Sequence, residues 1–300
     1  MPAWLSGFAD YLGHHTATMQ NLLLQTTIEG NPDDWNVTRF SRLTEFLSQL
    51  RDPQGRLAFR VTARNRGRRG EPDAVLSKLP ELEFDQLWLF AVDRGDGLTA
   101  ADCAGIGRFR QLGGRLLVTR DMDLGRSVCA LDGVGAAHHF HGNNPERNDR
   151  RLDSPPSPDI VGPNHRTGAD GDFQRVRAVG HIHPVMRDRR SATGVIQYLP
   201  AHPYEGVVSA PPGEASARVI AEGLASGRRF NIAVAFERAE RGGRAIAQSS
   251  FHHFTDYNWD STAGCPSFVS EPAGDSIARF PEALRSTQQY VCNVAFWLAG

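Results

Sequence analysis

Four short apolar runs, each closed by a polar turn, constrain most strongly how this chain can fold. They are Leu22–Ile28, Leu57–Thr62, Gln86–Val92 and Arg115–Thr119. After the first run, Phe40, Leu43, Phe46, Leu47 and Leu50 recur at the spacing of one helix face. After the third, Thr99 is placed to cap a helix that runs to Leu112, where Gly113-Gly114 stops it. Strands alternating with helices of this length pair in parallel through right-handed crossovers. Ligands of such sheets sit beyond the carboxyl ends of the strands.

The second half is richer in strand. Val195–Leu199, Arg218–Ala221 and Phe230–Phe236 read as strands, and Gly242-Gly243 reads as a hairpin turn into Arg244–Gln248. Gln288–Ala299 places Val291, Val294, Ala295 and Leu298 on one side of a closing helix. The expected architecture is α/β: a flavodoxin-like, doubly wound, mostly parallel sheet with a β-rich antiparallel extension. Residues 1–20 read as a helical extension and 21–300 as a single domain. The long polar segment 138–175 is the natural lid. Within it, Asp170-Gly171-Asp172 lacks the remaining acids of an EF-hand and reads as a solvated turn.

Composition narrows the partners. With a net charge of −1, no global field draws the chain to nucleic acid or to an anionic membrane. A small-molecule substrate is the expected partner, and a homo-oligomer stays open. The single lysine, Lys78, reads first as codon bias. Cys103, Cys129, Cys265 and Cys292 lie far apart, which argues against a zinc ribbon or a disulfide framework. The start lacks a cationic segment typical of a secretory signal, so reduced thiols and a cytoplasmic location are expected.

Chemistry concentrates in Ser249–Asp260, which packs two histidines, two acids, aromatics and an amide behind a strand. His252 or His253 is the expected general base, with Asp256 to orient it. His202 and Glu205 form the complementary acid or ligand pair. Tyr257, Asn258 and Trp259 are candidates for binding hydroxyls and stacking on a sugar face. Acids and their neighbours also follow three of the strands: Glu29, Asp34 and Trp35 after the first, Asp93 and Arg94 after the third, and Asp121 after the fourth. These are expected to line one pocket with the two histidine segments. A divalent metal, Zn²⁺ or Fe²⁺, has His139, His141 and His183 as candidate ligands, although no spacing is diagnostic and structural roles remain open.

Several segments carry a family resemblance when taken in order. They are Phe84–Phe90, the helix-opening stretch Leu98–Val118 with Gly113-Gly114, His183-Pro184, Glu237 through Gly243-Arg244 to His252-His253, and the closing Asn293–Leu298. Together they resemble the class I glutamine amidotransferase-like superfamily and, within it, the ThuA-like (trehalose-utilisation) branch. The resemblance implies a protein of carbohydrate metabolism acting on a small polar substrate. Amidotransferases carry a nucleophilic cysteine on a sharp turn after the fourth strand, whereas Thr119-Arg120-Asp121-Met122-Asp123 stands here. Cys129 lies beyond that turn. His202-Pro203-Tyr204-Glu205 resembles the superfamily's H-P-E segment with one residue inserted. Glutaminase activity is therefore not expected, in keeping with the ThuA-like branch, which generally lacks the cysteine. Two readings follow: an enzyme using acid–base chemistry on a sugar derivative, metal-assisted or not, and a catalytically silent ligand- or partner-binding module.

Overall fold

The computed structural model describes residues 18–121, 124–141, 151–152, 165–238 and 242–300, with the backbone alone for 140–141 and 151–152. Residues 1–17 of the expected N-terminal helix, and much of the expected lid, lie outside this set. One nine-stranded sheet organises the rest. Its parallel half comprises β1 (Gln20–Thr26), β2 (Phe59–Asn65), β3 (Gln86–Phe90), β4 (Arg115–Thr119) and β11 (Ala245–Gln248). These lie in the order β2-β1-β3-β4-β11, the flavodoxin-like order with β11 as the fifth strand.

Alternate side chains of these strands feed two cores. Leu22, Leu24, Trp88, Phe90 and Leu117 face α1 (Ser41–Gln49) and α5 (Pro281–Ala299). Leu23, Leu87, Leu89, Leu116 and Val118 face α2 (Ala100–Gln111). Each apolar side chain of this size taken out of water contributes about 1.5–3 kcal/mol. Thr99 caps α2 through a reciprocal capping box with Asp102, and Gly113, at φ +101°, turns the chain out of it. Gly243 has no room for a side chain: a Cβ there would meet the backbone of Gly114, at the point where the chain enters β4 and β11.

The antiparallel half continues from β11 through β10 (Arg228–Phe236), β9 (Ala217–Ala225), β7 (Phe173–Ala178) and β8 (Tyr198–Pro200). Ser226 and Gly227, both at positive φ, make the tight turn between β9 and β10. A short ladder of β5 (Phe140–His141) and β6 (Arg151–Leu152) stands apart from the sheet. The remaining α-helices among the described residues are α3 (Asp256–Trp259) and α4 (Ser276–Arg279). Among the described residues no helix is long and apolar enough to cross a membrane.

Three expectations change. β7 begins inside the segment expected to be loop, at Phe173, because its polar composition hides its period: Gln174 and Val176 are buried while Arg175 and Arg177 are exposed. Arg177 pairs across to Glu222 on β9. Asp170, expected in a solvated turn, is buried, and His165 just before it bridges to Glu205. The closing helix begins at Pro281, earlier than its apolar period suggests, because proline fits the first helical position without losing a hydrogen bond.

Candidate active site

β4 and β11 are parallel neighbours, so residues just past their carboxyl ends meet. Asp121 follows β4 and His252 follows β11. His202 follows β8 and is tied down by Thr167, whose hydroxyl accepts from the His202 amide (2.9 Å) and whose amide donates to the His202 carbonyl (3.2 Å). Asp170 precedes β7. The His202 and His252 rings stack face to face, with centroids 3.5 Å apart and planes 14° apart.

Both rings are bracketed at both nitrogens by the same two carboxylates. Asp170 Oδ1 lies 3.1 Å from His202 Nδ1 and 3.3 Å from His252 Nδ1. Asp121 Oδ2 lies 3.0 Å from His202 Nε2 and 3.5 Å from His252 Nε2. The Asn258 amide donates to Asp170 Oδ1 (2.8 Å) and to the Ala201 carbonyl (3.0 Å), holding the carboxylate in place. All four members are at least nine-tenths buried. Burial alone disfavours an imidazolium at His202, but Asp121 and Asp170 outweigh it and raise the pKa to about 10. For Asp170, burial is likewise outweighed, here by hydrogen bonds from the two histidines that hold its carboxyl well below the usual range.

A second buried network lies alongside. His253 Nδ1 accepts from the Gln248 amide (2.7 Å), and the Gln248 oxygen accepts from the Tyr290 hydroxyl (2.6 Å). That leaves the His253 Nε2–H to donate to Glu205, 2.9 Å away. Glu205 also accepts from Gln174, Thr167 and Ser249. Thr167 touches both networks. Glu205 and His253 are thus a pair, as are His202 and His252, a different partnering from the one expected.

Other expected site residues lie elsewhere. Asp256 does not orient a histidine. Its carboxylate accepts from the Ser41 amide and hydroxyl and the Arg42 amide, at the start of α1. A residue three positions after a histidine looks like its orienter only until the helix end opposite is known. Trp259 packs edge-on against Phe46 and donates to the His253 carbonyl (2.9 Å), so its face belongs to the core. Trp35 is also core, its ring edge-to-face with His252 at 4.8 Å. Tyr257 is nearly buried beside Cys265, and burial with that contact raises it to about 12.

Glu29, Asp34, Asp93 and Arg94 line a cleft of about 270 Å³ at the carboxyl ends of β1 and β3, a lining that includes none of the stacked-histidine group. Asp93 is engaged there by the Thr27 and Ser127 hydroxyls, each at 2.7 Å. Glu29 accepts from the Arg69 amide.

Of the expected metal ligands, His139 and His183 have other partners. His139 Nε2 sits against the Cys129 carbonyl at 2.5 Å. His183 Nδ1 accepts from the Val185 amide and its Nε2 faces Glu237, each at 3.2 Å. The His141 side chain lies outside the described residues. Asp121, His202 and His252 are instead the group with metal-ligand geometry among the described residues. Asp170 is the site residue that sequence reading missed; the oxygen-rich Asp170-Gly171-Asp172 was the available signal. Past β4 the turn carries Asp121, while the Cys129 sulfur is buried 3.2 Å from the Arg120 guanidinium.

No family model matches the chain, and no curated protein matches it. Similar solved structures include a ThuA-like protein from Bacteroides uniformis (12% identity, TM-score 0.47, covering 96% of this chain and 94% of that one). Others are a ThuA-like protein from Parabacteroides merdae (16%, 0.43, 77% and 79%) and a cytoplasmic protein from Salmonella typhimurium LT2 (11%, 0.48, 93% and 99%). At this identity the likeness concerns chain path and says nothing of chemistry.

Proposed function

We propose that the chain is a ThuA-like enzyme acting on a small polar substrate, a sugar or sugar derivative, by proton transfer at His202 and His252. The supporting observation is the stacked histidine pair bracketed by Asp121 and Asp170 past the carboxyl ends of β4 and β11. A fold core gains little from burying two imidazoles and two carboxylates at one point, because desolvating each charge is costly. A site that moves protons to and from hydroxyl or carbonyl groups needs that arrangement. Asp170, fixed by Asn258, sets the ring orientations, and the Nε2 edge with Asp121 faces the substrate. The choice of sugar rests on the family resemblance of the sequence alone.

The test is a panel of free sugars, keto-sugars, sugar acids and disaccharides incubated with the protein and followed by NMR. Turnover of at least one member, lost in His252→Asn, is the expected result. Ligand binding without turnover would replace the enzyme with the silent binding module.

A further inference from the structure

We infer that Asp121, His202 and His252 form a binding site for one divalent transition-metal ion, with Asp170 as the outer carboxylate that orients both imidazoles. This rests on the reading of the same four residues as the working site, and adds what they hold besides protons.

Three observations carry it. First, Asp121, His202 and His252 each offer one donor atom, and these lie within 4.8 Å of one another. Asp121 Oδ2 is 3.0 Å and 3.5 Å from the Nε2 atoms of His202 and His252. Ligands sharing an ion at about 2.0–2.2 Å in tetrahedral geometry stand roughly 3.3–3.5 Å apart, so the oxygen is already near ligand spacing from both nitrogens. Second, Asp170 Oδ1 faces both Nδ1 atoms, at 3.1 Å and 3.3 Å. In the neutral rings, an Nδ1–H kept on that side, where His252 also faces Asn258 Oδ1 at 3.3 Å, leaves the lone pair on Nε2 toward Asp121, so an ion takes the place of any Nε2 proton. Metal-binding histidines are usually oriented in this way. Third, Asn258, itself held by the Ala201 carbonyl, donates to Asp170 from behind, which pre-forms the outer layer.

Two histidines and one carboxylate suit Zn²⁺, Fe²⁺, Co²⁺ or Mn²⁺ and leave coordination positions for water or substrate oxygens. The rings now lie nearly parallel, so their in-plane lone pairs run side by side. Loading therefore splays the two rings about their Nδ1 contacts, while Trp35, edge-on to His252, limits the movement on one side. In the loaded state the ion supplies the positive charge beside the substrate oxygen, as a Lewis acid.

The experiment uses the full chain, stripped with a chelator and titrated with Co²⁺ and Zn²⁺, and read by elemental analysis and by the visible absorption of Co²⁺. The expected result is about one ion per chain with a low-symmetry cobalt spectrum. Binding should fall by at least about 100-fold in His252→Ala and Asp121→Asn, and by about 10–100-fold in Asp170→Asn, the range for loss of an outer-shell partner. Circular dichroism checks that each variant is folded, and Asp170→Asn, which keeps all three donors, remains informative if the ligand variants are not. Sub-stoichiometric binding by the folded wild type, or equal binding by folded variants, overturns the inference. Turnover that persists in stripped protein would overturn the metal requirement and leave the proton-transfer reading intact. Stoichiometric metal without turnover of any substrate would do the reverse.

Discussion

Asp170 Oδ1 lies 3.1 Å from His202 Nδ1, joining the segment before β7 to the segment after β8. Both side chains are buried, and the same oxygen receives the Asn258 amide. Removing that acceptor strands several donors away from water. Asp170→Ala is expected to cost about 3–5 kcal/mol of unfolding free energy, the range for breaking one partner out of a buried charged pair. Urea denaturation measures it. A loss below about 1 kcal/mol would mean that water replaces the carboxylate freely.

Asp256 serves α1 rather than the histidines. A carboxylate on the first-turn amides of a helix satisfies orphan donors and complements the helix dipole. Asp256→Ala should lower stability by about 1–2 kcal/mol. Ligand binding by the folded protein should stay as in wild type, by calorimetry. Loss of binding at unchanged stability would return Asp256 to the site.

His183 should make the fold acid-sensitive. Burial lowers its pKa to about 3, and Arg218, Arg244 and Arg187 act in the same direction. It is therefore neutral at pH 7 and donates a hydrogen bond to Glu237. The unfolded chain, with an ordinary histidine near 6.5, binds the proton more readily between about 6.5 and 3. Stability from this group thus falls as pH drops through that window, with a slope of up to about 1.4 kcal/mol per pH unit. His183→Asn should flatten the decline between pH 6.5 and 4.5, compared by urea midpoints. An unchanged slope would show that other groups dominate.

The protein should release no ammonia from glutamine. Asp121 stands near the position a nucleophile would need after β4, and the Cys129 sulfur is buried against Arg120. Ammonia release that disappears in Cys129→Ala would refute this.

The parallel half of the fold was legible because its strands are apolar runs with capped helices between them, as at Thr99 and Gly113. β7 was not, since Arg175 and Arg177 on its exposed face mask a two-residue period. Within the site, His202 and His252 were readable as residue types behind strands. Their stacking partner could not be read, because β8 and β11 lie at separate places in the sheet and the chain returns over it to bring them together. Asp170 was lost for the related reason that buried and solvated aspartates look alike beside glycine. Asp256 and Trp259 were drawn into the site by closeness in sequence, while α1 and Phe46 claim them in space.

Calorimetric titration of wild type, His252→Asn and Asp256→Ala with a turned-over or thermally stabilising sugar derivative tests whether the stacked pair is the site. Wild type and Asp256→Ala should bind with equal affinity, and His252→Asn should bind at least about 100-fold more weakly, a loss of roughly 2.7 kcal/mol. Equal affinity for all three proteins would contradict it and place the ligand elsewhere, with the histidines and aspartates serving the fold alone.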